Sequence, residues 1–296
     1  MDAARFSQIA AVKHDGTQGA RAGRAGAIKP LLAIAILSFY TGATALAQCL
    51  PPTPGFPGYC AVTVVNAADG IPGALAPNTI ATVNGQNLSY TSATLTTADV
   101  SSSGVLPTQL PGTATHVLVG NLEAMPFSVS PTQISFLVPP NLLPGKTTFV
   151  VVNEGLAGPL LTLDLQATAP AFFLASGSDV AALHIDGSAI TTASPAQPGE
   201  VVMLYATGLG ATNPPAEPGQ LPIVAASLAP ESNLQVLLNG QPVPAEDILY
   251  AGVAPFFAGL YQINLQLPGD APANPELRIV CAGQTSPAQV YLNVQP

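Results

Sequence analysis

Hydrophobic and polar positions alternate along most of this chain in short runs, each bounded by Gly, Pro, Asn or Asp. A period of two residues, together with many β-branched side chains, is typical of half-buried β-strands. Apolar spacing over three helical turns occurs nowhere, so the pattern predicts an all-β protein. The runs predicted as strands are AVTVV, TIATV, THVLV, QISFLV, TTFVVV and LLTLDL between residues 61 and 165, and VVMLY, LQVLL, QINLQL, ELRIV and VYLNV between residues 201 and 294.

The sequence repeats itself once. Residues 77–88 (PNTIATVNGQNL) match residues 198–209 (PGEVVMLYATGL) at an offset of 121, and a later Gln-Ile pair at Gln133 matches one at Gln262 at an offset of 129. The additional residues are assigned to a longer loop in the second copy, residues 251–259. We also expect Gln133 and Gln262 to satisfy loose backbone groups at a sheet margin.

The number of predicted strands sets the fold class. Six or seven strands in roughly 100 residues is typical of an immunoglobulin-like β-sandwich. The sequence therefore predicts two tandem immunoglobulin-like β-sandwich domains, residues 61–166 and 167–296, after a Pro-rich segment at residues 48–60.

The first 47 residues differ in composition from the rest. They hold five of the seven basic residues, followed by the apolar run LLAIAILSFYTGATALA, which ends in Ala45-Leu46-Ala47. This order predicts a secretory signal peptide over residues 1–47, cleaved before Gln48, and a secreted, periplasmic or cell-surface location. Two alternatives stay open, namely a retained membrane anchor and lipid attachment at Cys49.

Several runs resemble a family of C-terminal domains of secreted acidobacterial proteins, which is related to the immunoglobulin-like domains of plexins and transcription factors. The resemblance covers residues 62–296, and it is carried by VVNAADG, LPTQLPGTATHVLVGN, VSPTQISFLVPP, PAQPGEVVMLYATGLG and YQINLQLP. It implies an extracellular β-sandwich module without an assigned biochemical role. Asn78 departs from the family pattern, which usually has Gly after Ala-Pro.

Charge narrows the range of partners. Without residues 1–47, 14 acidic residues face only Lys146 and Arg278, so the net charge is −12. Such a surface repels nucleic-acid phosphates and anionic lipid headgroups, so neither is expected as a partner.

The three cysteines fit an exported protein. Cys49 and Cys60 flank a Pro-rich stretch and are predicted to pair as a disulfide that ties down the N-terminal segment. Cys281 lies in a strand-like run and is interpreted as a buried small hydrophobic residue rather than a reactive thiol.

Candidate chemistry is sparse. Gly208-Leu209-Gly210 precedes several prolines and no helix, so it is interpreted as a turn and not a phosphate loop. A catalytic pair of His184 and Asp186 is imaginable, but a structural histidine is the favoured interpretation. Carboxylates are scattered, which leaves calcium as an open option, but no residue set predicts a metal or cofactor site.

Aromatic residues in loops are better candidates for recognition. Phe256, Phe257 and Tyr261 would form a platform for sugar rings or a protein if exposed, or they would plug the contact between the domains. The overall prediction is a non-enzymatic module for cell-surface binding, adhesion or structural support, with a polysaccharide or a cell-surface protein as partner. A carbohydrate-binding module is the alternative, and a hydrolase using His184 and Asp186 is a further one.

Overall fold

The alternating runs form β-strands throughout the part of the chain that the computed structural model describes, which is Cys49, residues 53–73 and residues 75–295. The predicted signal peptide lies outside these residues. The helical elements in the described part are three 3-10 helices, at Ala61–Thr63, Pro230–Ser232 and Ala245–Asp247. The protein is all-β, as the period-two pattern predicts.

The first half of the described chain forms a sandwich of two antiparallel sheets. One sheet has the strand order β1-β2-β7-β6-β3, and the other has β10-β8-β4-β5 with β9 on β8. The two sheets share one core, in which the rings of Phe136 and Phe149 lie 5.7 Å apart. The strands are β1 (Val64–Asn66), β2 (Ile80–Asn84), β3 (Ala93–Thr94), β4 (Thr115–Val119), β5 (Leu122–Glu123), β6 (Met125–Val129), β7 (Gln133–Leu137), β8 (Gly145–Asn153), β9 (Leu156–Ala157) and β10 (Leu161–Leu165).

The second half forms another sandwich around its own core. Its larger sheet has the order β11-β15-β21-β20-β17-β16 with β14 on β15, and the facing sheet has the order β19-β18-β22-β23. The strands are β11 (Ala171–Phe172), β12 (Leu174–Ser176), β13 (Asp179–Val180), β14 (Ala182–His184), β15 (Val201–Thr207), β16 (Thr212–Asn213), β17 (Ala226–Leu228), β18 (Gln235–Leu238), β19 (Gln241–Pro242), β20 (Ile248–Val253), β21 (Tyr261–Gln266), β22 (Leu277–Cys281) and β23 (Gln284–Thr285). The boundary predicted at residues 166/167 falls between β10 and β11.

The internal repeat appears in the strand register. In the first sandwich Val83 of β2 lies opposite Ile134 of β7, and in the second Leu204 of β15 lies opposite Ile263 of β21. These are the positions that the two sequence offsets make equivalent. The β20–β21 loop, residues 254–260, is longer than the β6–β7 loop, residues 130–132, so part of the added length lies where the sequence placed it.

Several strands of two or three residues were not predicted, and neither were two longer strands, β6 and β20. All five residues of β6 are buried, so they show no alternation, and Pro126 interrupts the run. Proline fits there because the register shifts between Pro126 and Ser128, where the ladder is irregular. In β20, Gly252 weakens the strand pattern, yet a Cβ there would lie 2.2 Å from Ala226 O, so close packing requires glycine.

Two predicted strands are shorter than expected. The run AVTVV begins as the 3-10 helix Ala61–Thr63 and only its end belongs to β1. The run VYLNV forms isolated bridges, such as Tyr291 with Asp179 and Val294 with Ala196, instead of a ladder. The two glutamines also act differently from the prediction, because Gln133 donates to the side chain of Asn84 and Gln262 donates to that of Asn264.

Candidate functional site

A buried contact region joins the two sandwiches, and we call it the junction. One continuous cluster of buried side chains contains Phe136 of the first sandwich together with Phe173 and Leu183 of the second. Two loops add a strand-like contact, in which Leu106 N donates to Gly219 O (2.8 Å) and Leu221 N donates to Gly104 O (2.9 Å). The two sandwiches are therefore packed against each other and not merely linked.

Tyr261 makes the central polar contacts of the junction. Its side chain has no exposed area, its hydroxyl accepts a hydrogen bond from Asn78 Nδ2 (3.0 Å), and the same hydroxyl donates to Gly210 O. Burial raises the pKa of this phenol above its ordinary value. Both ends of the hydroxyl are thus used inside the protein, as buried polar groups require.

Thr207 makes a second set of polar contacts across the junction. Its hydroxyl accepts from the backbone N–H of Ile80 (3.0 Å) and donates to Gly259 O (2.8 Å). Nearby, Asn66 Nδ2 donates to Ala169 O (3.1 Å). These bonds hold the start of β2 against the end of β15.

The glycines of Gly208-Leu209-Gly210 serve this packing. Gly208 has φ +76°, and a Cβ there would lie only 2.0 Å from Ala169 O; a Cβ at Gly210 (φ +92°) would lie 2.8 Å from Thr168. No helix follows, since β16 begins at Thr212. The motif is a turn whose glycines allow Thr168 and Ala169, in the segment between β10 and β11, to lie at contact distance from it.

A cleft of about 280 Å³ opens beside the junction. The first sandwich contributes Asn78 and Leu137 to its wall, and the second contributes the segment 212–226 with Val253 and Ala258. Among the described residues that line it, Glu217 is the one charged side chain and none is aromatic. Domain interfaces are a common place for binding clefts, and an apolar wall with a few polar groups is their usual chemistry.

Two aliphatic side chains stand exposed at this cleft. Ile223 is 70% exposed and Val224 is 58% exposed, although both line the cleft. Adjacent exposed aliphatic residues beside a concave surface indicate an interaction site more strongly than isolated ones do. The sequence signal was weak, because both residues lie in the irregular, Pro-rich stretch between β16 and β17.

The loop predicted to carry an aromatic platform, residues 254–260, forms part of the cleft and the junction. Phe256 N donates to Pro222 O (2.6 Å), which fastens this loop to the segment that carries Ile223. Phe256 adopts φ +68°, a conformation that side chains with a Cβ rarely occupy. Such local strain is common where a loop is held for a function.

The three predicted ligand-contact residues do not form one exposed platform. Phe256 and Phe257 are half-buried, and Phe257 packs against the buried cluster of the junction. Tyr261 is fully enclosed, because its hydroxyl is needed between Asn78 and Gly210. A direct ligand contact by Tyr261 is therefore ruled out by its position, whereas contacts by Phe256 and Phe257 stay a prediction.

The N-terminal segment is attached to the first sandwich. Cys49 and Cys60 form a disulfide, and next to it Tyr59 is buried. The Tyr59 hydroxyl accepts from Val151 N (2.7 Å) and donates to Pro159 O (2.9 Å). Burial raises the pKa of this phenol to about 12, so the hydroxyl stays protonated and keeps donating at any physiological pH.

His184 contacts a carboxylate, but this carboxylate is not the one expected from the sequence. Its Nδ1 lies 2.5 Å from Glu200 Oε1, and its Nε2 lies 3.3 Å from Ser194 Oγ. Asp186 instead accepts hydrogen bonds from the hydroxyl and N–H of Ser188, which lower the pKa of its carboxyl. His184 therefore lies in a Ser194-His184-Glu200 series and not in the imaginable pair with Asp186.

This series has the order of a catalytic triad, yet its surroundings lack features that acyl transfer requires. Pro195 follows the serine, so the next residue has no N–H to stabilise an oxyanion. The N–H of Ser194 itself is used by Thr191 O and Thr191 Oγ1. His184 Nε2 also lies 3.2 Å from Ser194 O, which fits a histidine that holds a turn to the sheet.

Other site classes receive no support from the described residues. No group of three or more His, Cys, Asp or Glu that could hold a metal ion occurs among Cys49, residues 53–73 and residues 75–295. In the same part of the chain, no helix is both long and apolar enough to cross a membrane. Cys281 is a free, buried thiol whose Sγ donates to Leu209 O (3.1 Å).

Comparisons with known proteins return structures only. Neither the protein-family models nor the curated proteins give a match. Solved structures that match include a surface glycan-binding protein from Prevotella bryantii, at 12% identity and a TM-score of 0.24, over 80% of this chain and 41% of that one. A glucan-utilisation surface protein from Bacteroides ovatus, in complex with a mixed-linkage heptasaccharide, matches at 12% identity and a TM-score of 0.28, over 75% and 43%.

A third match is the tandem immunoglobulin repeats of Dlar, at 14% identity and a TM-score of 0.21, over 62% of this chain and 83% of that one. The chain spans less than half of the two glycan-binding proteins. At these identities and TM-scores the matches do not carry a function over to this chain. Its fold class is that of an immunoglobulin-like β-sandwich protein, on the evidence of its own sheets.

Proposed function

We propose that this chain is an exported, non-enzymatic binding module, in which two packed β-sandwiches hold a partner at the cell surface through the cleft beside the junction. The observation that carries the proposal is the pair of exposed aliphatic side chains, Ile223 and Val224, in an apolar cleft between two domains. An exported location is supported by the basic and apolar residues of 1–47 and by the disulfide of Cys49 with Cys60.

The chemistry of the cleft favours a protein partner with apolar side chains. Its wall consists mainly of aliphatic side chains and prolines, and it offers Glu217 and Gln220 as polar groups at particular points. A few polar groups in an apolar wall orient a ligand, while burial of the apolar surface supplies most of the affinity. Glu217 would favour a basic group on the partner next to its apolar side chains.

The packed junction supports this function because it fixes the walls of the cleft relative to each other. The bonds of Tyr261, Thr207 and Leu106 hold both sandwiches on either side of the cleft. A preformed cleft loses less conformational entropy on binding than one that must be assembled. The same rigidity would also suit a structural role at the cell surface.

The test is co-sedimentation of the purified protein with isolated cell envelopes. Ile223→Asp and Val224→Asp place a charge in the apolar cleft, and we expect each to weaken binding roughly tenfold, as loss of a central interface side chain does. Leu143→Asp is the matched control, because Leu143 is 82% exposed on the first sandwich and lies outside the cleft. Binding that survives both cleft substitutions, or that is lost equally in the control, would contradict the proposed site.

The non-enzymatic part has its own test. Hydrolysis of a p-nitrophenyl ester is measured with the wild type and with Ser194→Ala. We expect equal background rates, because the N–H of Ser194 is bonded to Thr191 and Pro195 has no N–H, so neither residue can donate to the oxyanion of a substrate. Activity that disappears in Ser194→Ala would instead establish a hydrolase.

A further inference from the structure

Two aromatic side chains lie exposed on the first sandwich, far along the chain from the cleft. Phe56 is 37% exposed and Tyr90 is 51% exposed. The Tyr90 hydroxyl donates to Gly55 O (3.2 Å), which places the phenol one residue away from Phe56. We call Phe56 and Tyr90 the aromatic pair. Neither residue belongs to the buried cluster of the first sandwich, so packing of the core does not require these rings.

The backbone that carries the aromatic pair is held in place. Gly58 and Gln86 exchange two backbone hydrogen bonds, of 2.8 and 2.9 Å, and Asn87 Nδ2 donates to Phe56 O (3.2 Å). The disulfide of Cys49 and Cys60 and the buried side chain of Tyr59 anchor the same segment from its other end. The pair is therefore preorganised, which reduces the entropy lost when a ligand binds.

The residues beside the aromatic pair along the chain are polar but nearly uncharged. Gln86 and Thr91 are exposed next to it and carry an amide and a hydroxyl. Between residues 49 and 98 the sequence contains a single charged residue, Asp69. A ligand at this surface meets ring faces and neutral hydrogen-bonding groups, in a protein whose overall charge repels anions.

These features match a neutral carbohydrate. The face of an aromatic ring carries partial negative charge, which attracts the axial C–H groups of a pyranose ring. Amides and hydroxyls beside the rings can exchange hydrogen bonds with sugar hydroxyls. A peptide partner would gain less here, since neither the two rings nor Gln86 and Thr91 carry a charge that would orient it.

We propose that Phe56 and Tyr90, with Gln86 beside them, form a binding site for a neutral polysaccharide. The site is separate from the cleft at the junction, so the module has two surfaces, one for a glycan and one for an apolar protein partner. The proposal does not depend on the function proposed for the cleft.

The test is affinity gel electrophoresis of the purified, disulfide-bonded protein in gels that contain hydroxyethylcellulose, xyloglucan, galactomannan or the acidic polymer alginate. We expect retardation by at least one neutral polymer and none by alginate. Phe56→Leu and Tyr90→Leu keep apolar volume but remove the rings, and each should lower the apparent affinity about tenfold. Tyr90→Phe keeps the ring and should retain most of the binding.

Tyr291→Leu is the matched control, because Tyr291 is also partly exposed (36%) but belongs to the second sandwich. Thermal unfolding of every variant establishes that it is folded before binding is compared. No retardation by any neutral polymer would overturn the proposal, and so would retardation that both Leu variants preserve or that Tyr291→Leu removes equally. Unchanged retardation of Ile223→Asp is expected and separates this site from the cleft.

Discussion

Removal of the Tyr261 hydroxyl tests whether the junction contributes to stability. In the wild type this hydroxyl accepts from Asn78 Nδ2 and donates to Gly210 O, and the ring is completely buried. Tyr261→Phe removes one oxygen atom and leaves the ring in place. The two former partners then have no hydrogen-bonding group at that point of the junction.

The expected cost follows from the burial of these partners. Asn78 is only 6% exposed, so water does not readily replace the lost hydroxyl. An unsatisfied buried donor or acceptor costs about 1 to 3 kcal/mol, and two such groups give roughly 2 to 4 kcal/mol if partial relaxation is allowed for. That is a large fraction of the 5 to 15 kcal/mol that is typical of the total free energy of unfolding.

The assay is urea unfolding followed by far-UV circular dichroism, since the chain contains no Trp. Tyr291→Phe is the control, because it removes a hydroxyl from a partly exposed ring and should change the free energy of unfolding by less than about 0.5 kcal/mol. Asn78→Gly removes the partner amide while it tolerates the φ of +62° at that position.

The two substitutions together form a double-mutant cycle. If the bond contributes as described, the double variant costs less than the sum of the single ones, with a coupling of about 0.5 to 3 kcal/mol. A cost below about 0.5 kcal/mol for Tyr261→Phe, or strict additivity with Asn78→Gly, would refute the argument.

Three further predictions concern single positions. Burial raises the pKa of Asp69 to about 6, so the folded state binds the proton more tightly than the unfolded one. The free energy of unfolding should therefore fall as the pH rises from about 4 to about 6. Urea titrations at several pH values measure this pH dependence, and Asp69→Asn should remove the contribution of Asp69 to it. Burial raises the pKa of the Cys281 thiol to about 11, so a thiol reagent such as DTNB should not react with the native protein and should react with one thiol per chain after denaturation. Rapid reaction in the native state would contradict the buried position of Cys281. Gly208→Ala should cost about 2 to 4 kcal/mol because a Cβ meets Ala169 O, whereas Gly199→Ala, with φ +81° and open space, should cost only about 1 to 2 kcal/mol; equal costs in thermal unfolding would refute the close contact.

The strand pattern predicted most of the fold because alternation reports one buried face. In β4 the residues from Thr115 to Val119 are alternately buried and half-exposed, and the period of two is visible in the sequence. In β6 every residue is buried, so hydrophobic and polar positions do not alternate, and Pro126 has a low propensity for strands. Position within the sheet, which the sequence does not encode locally, decided this case.

The candidate sites were predicted less well, for a similar reason. The aromatic residues from Phe256 to Tyr261 marked a loop that contributes Ala258 to the cleft, but sequence alone does not tell which rings face inward. The sequence suggested Asp186 as a possible partner of His184 because it lies two residues away, whereas Glu200 reaches His184 across the pairing of β14 with β15. Contacts between strands distant in sequence determine such sites.

The repeated strand register raises a question of folding fidelity. Because Val83 opposes Ile134 in one sandwich and Leu204 opposes Ile263 in the other, β2 could pair with β21 in place of β7 and retain matching hydrophobic positions. Exchange of this kind is a characteristic failure of proteins with repeated domains.

Differences between the copies disfavour that exchange. Gln133 finds Asn84 across the ladder in the correct pairing, whereas Gln262 lies opposite Tyr205 and bonds within its own strand. A β2–β21 pair in the matching register would place Gln262 opposite Asn84, so the contact between these side chain types does not discriminate, but it would take Tyr261 away from Asn78. The side chains that hold the finished junction thus also discriminate, while the chain folds, between a strand of the same copy and its counterpart in the other.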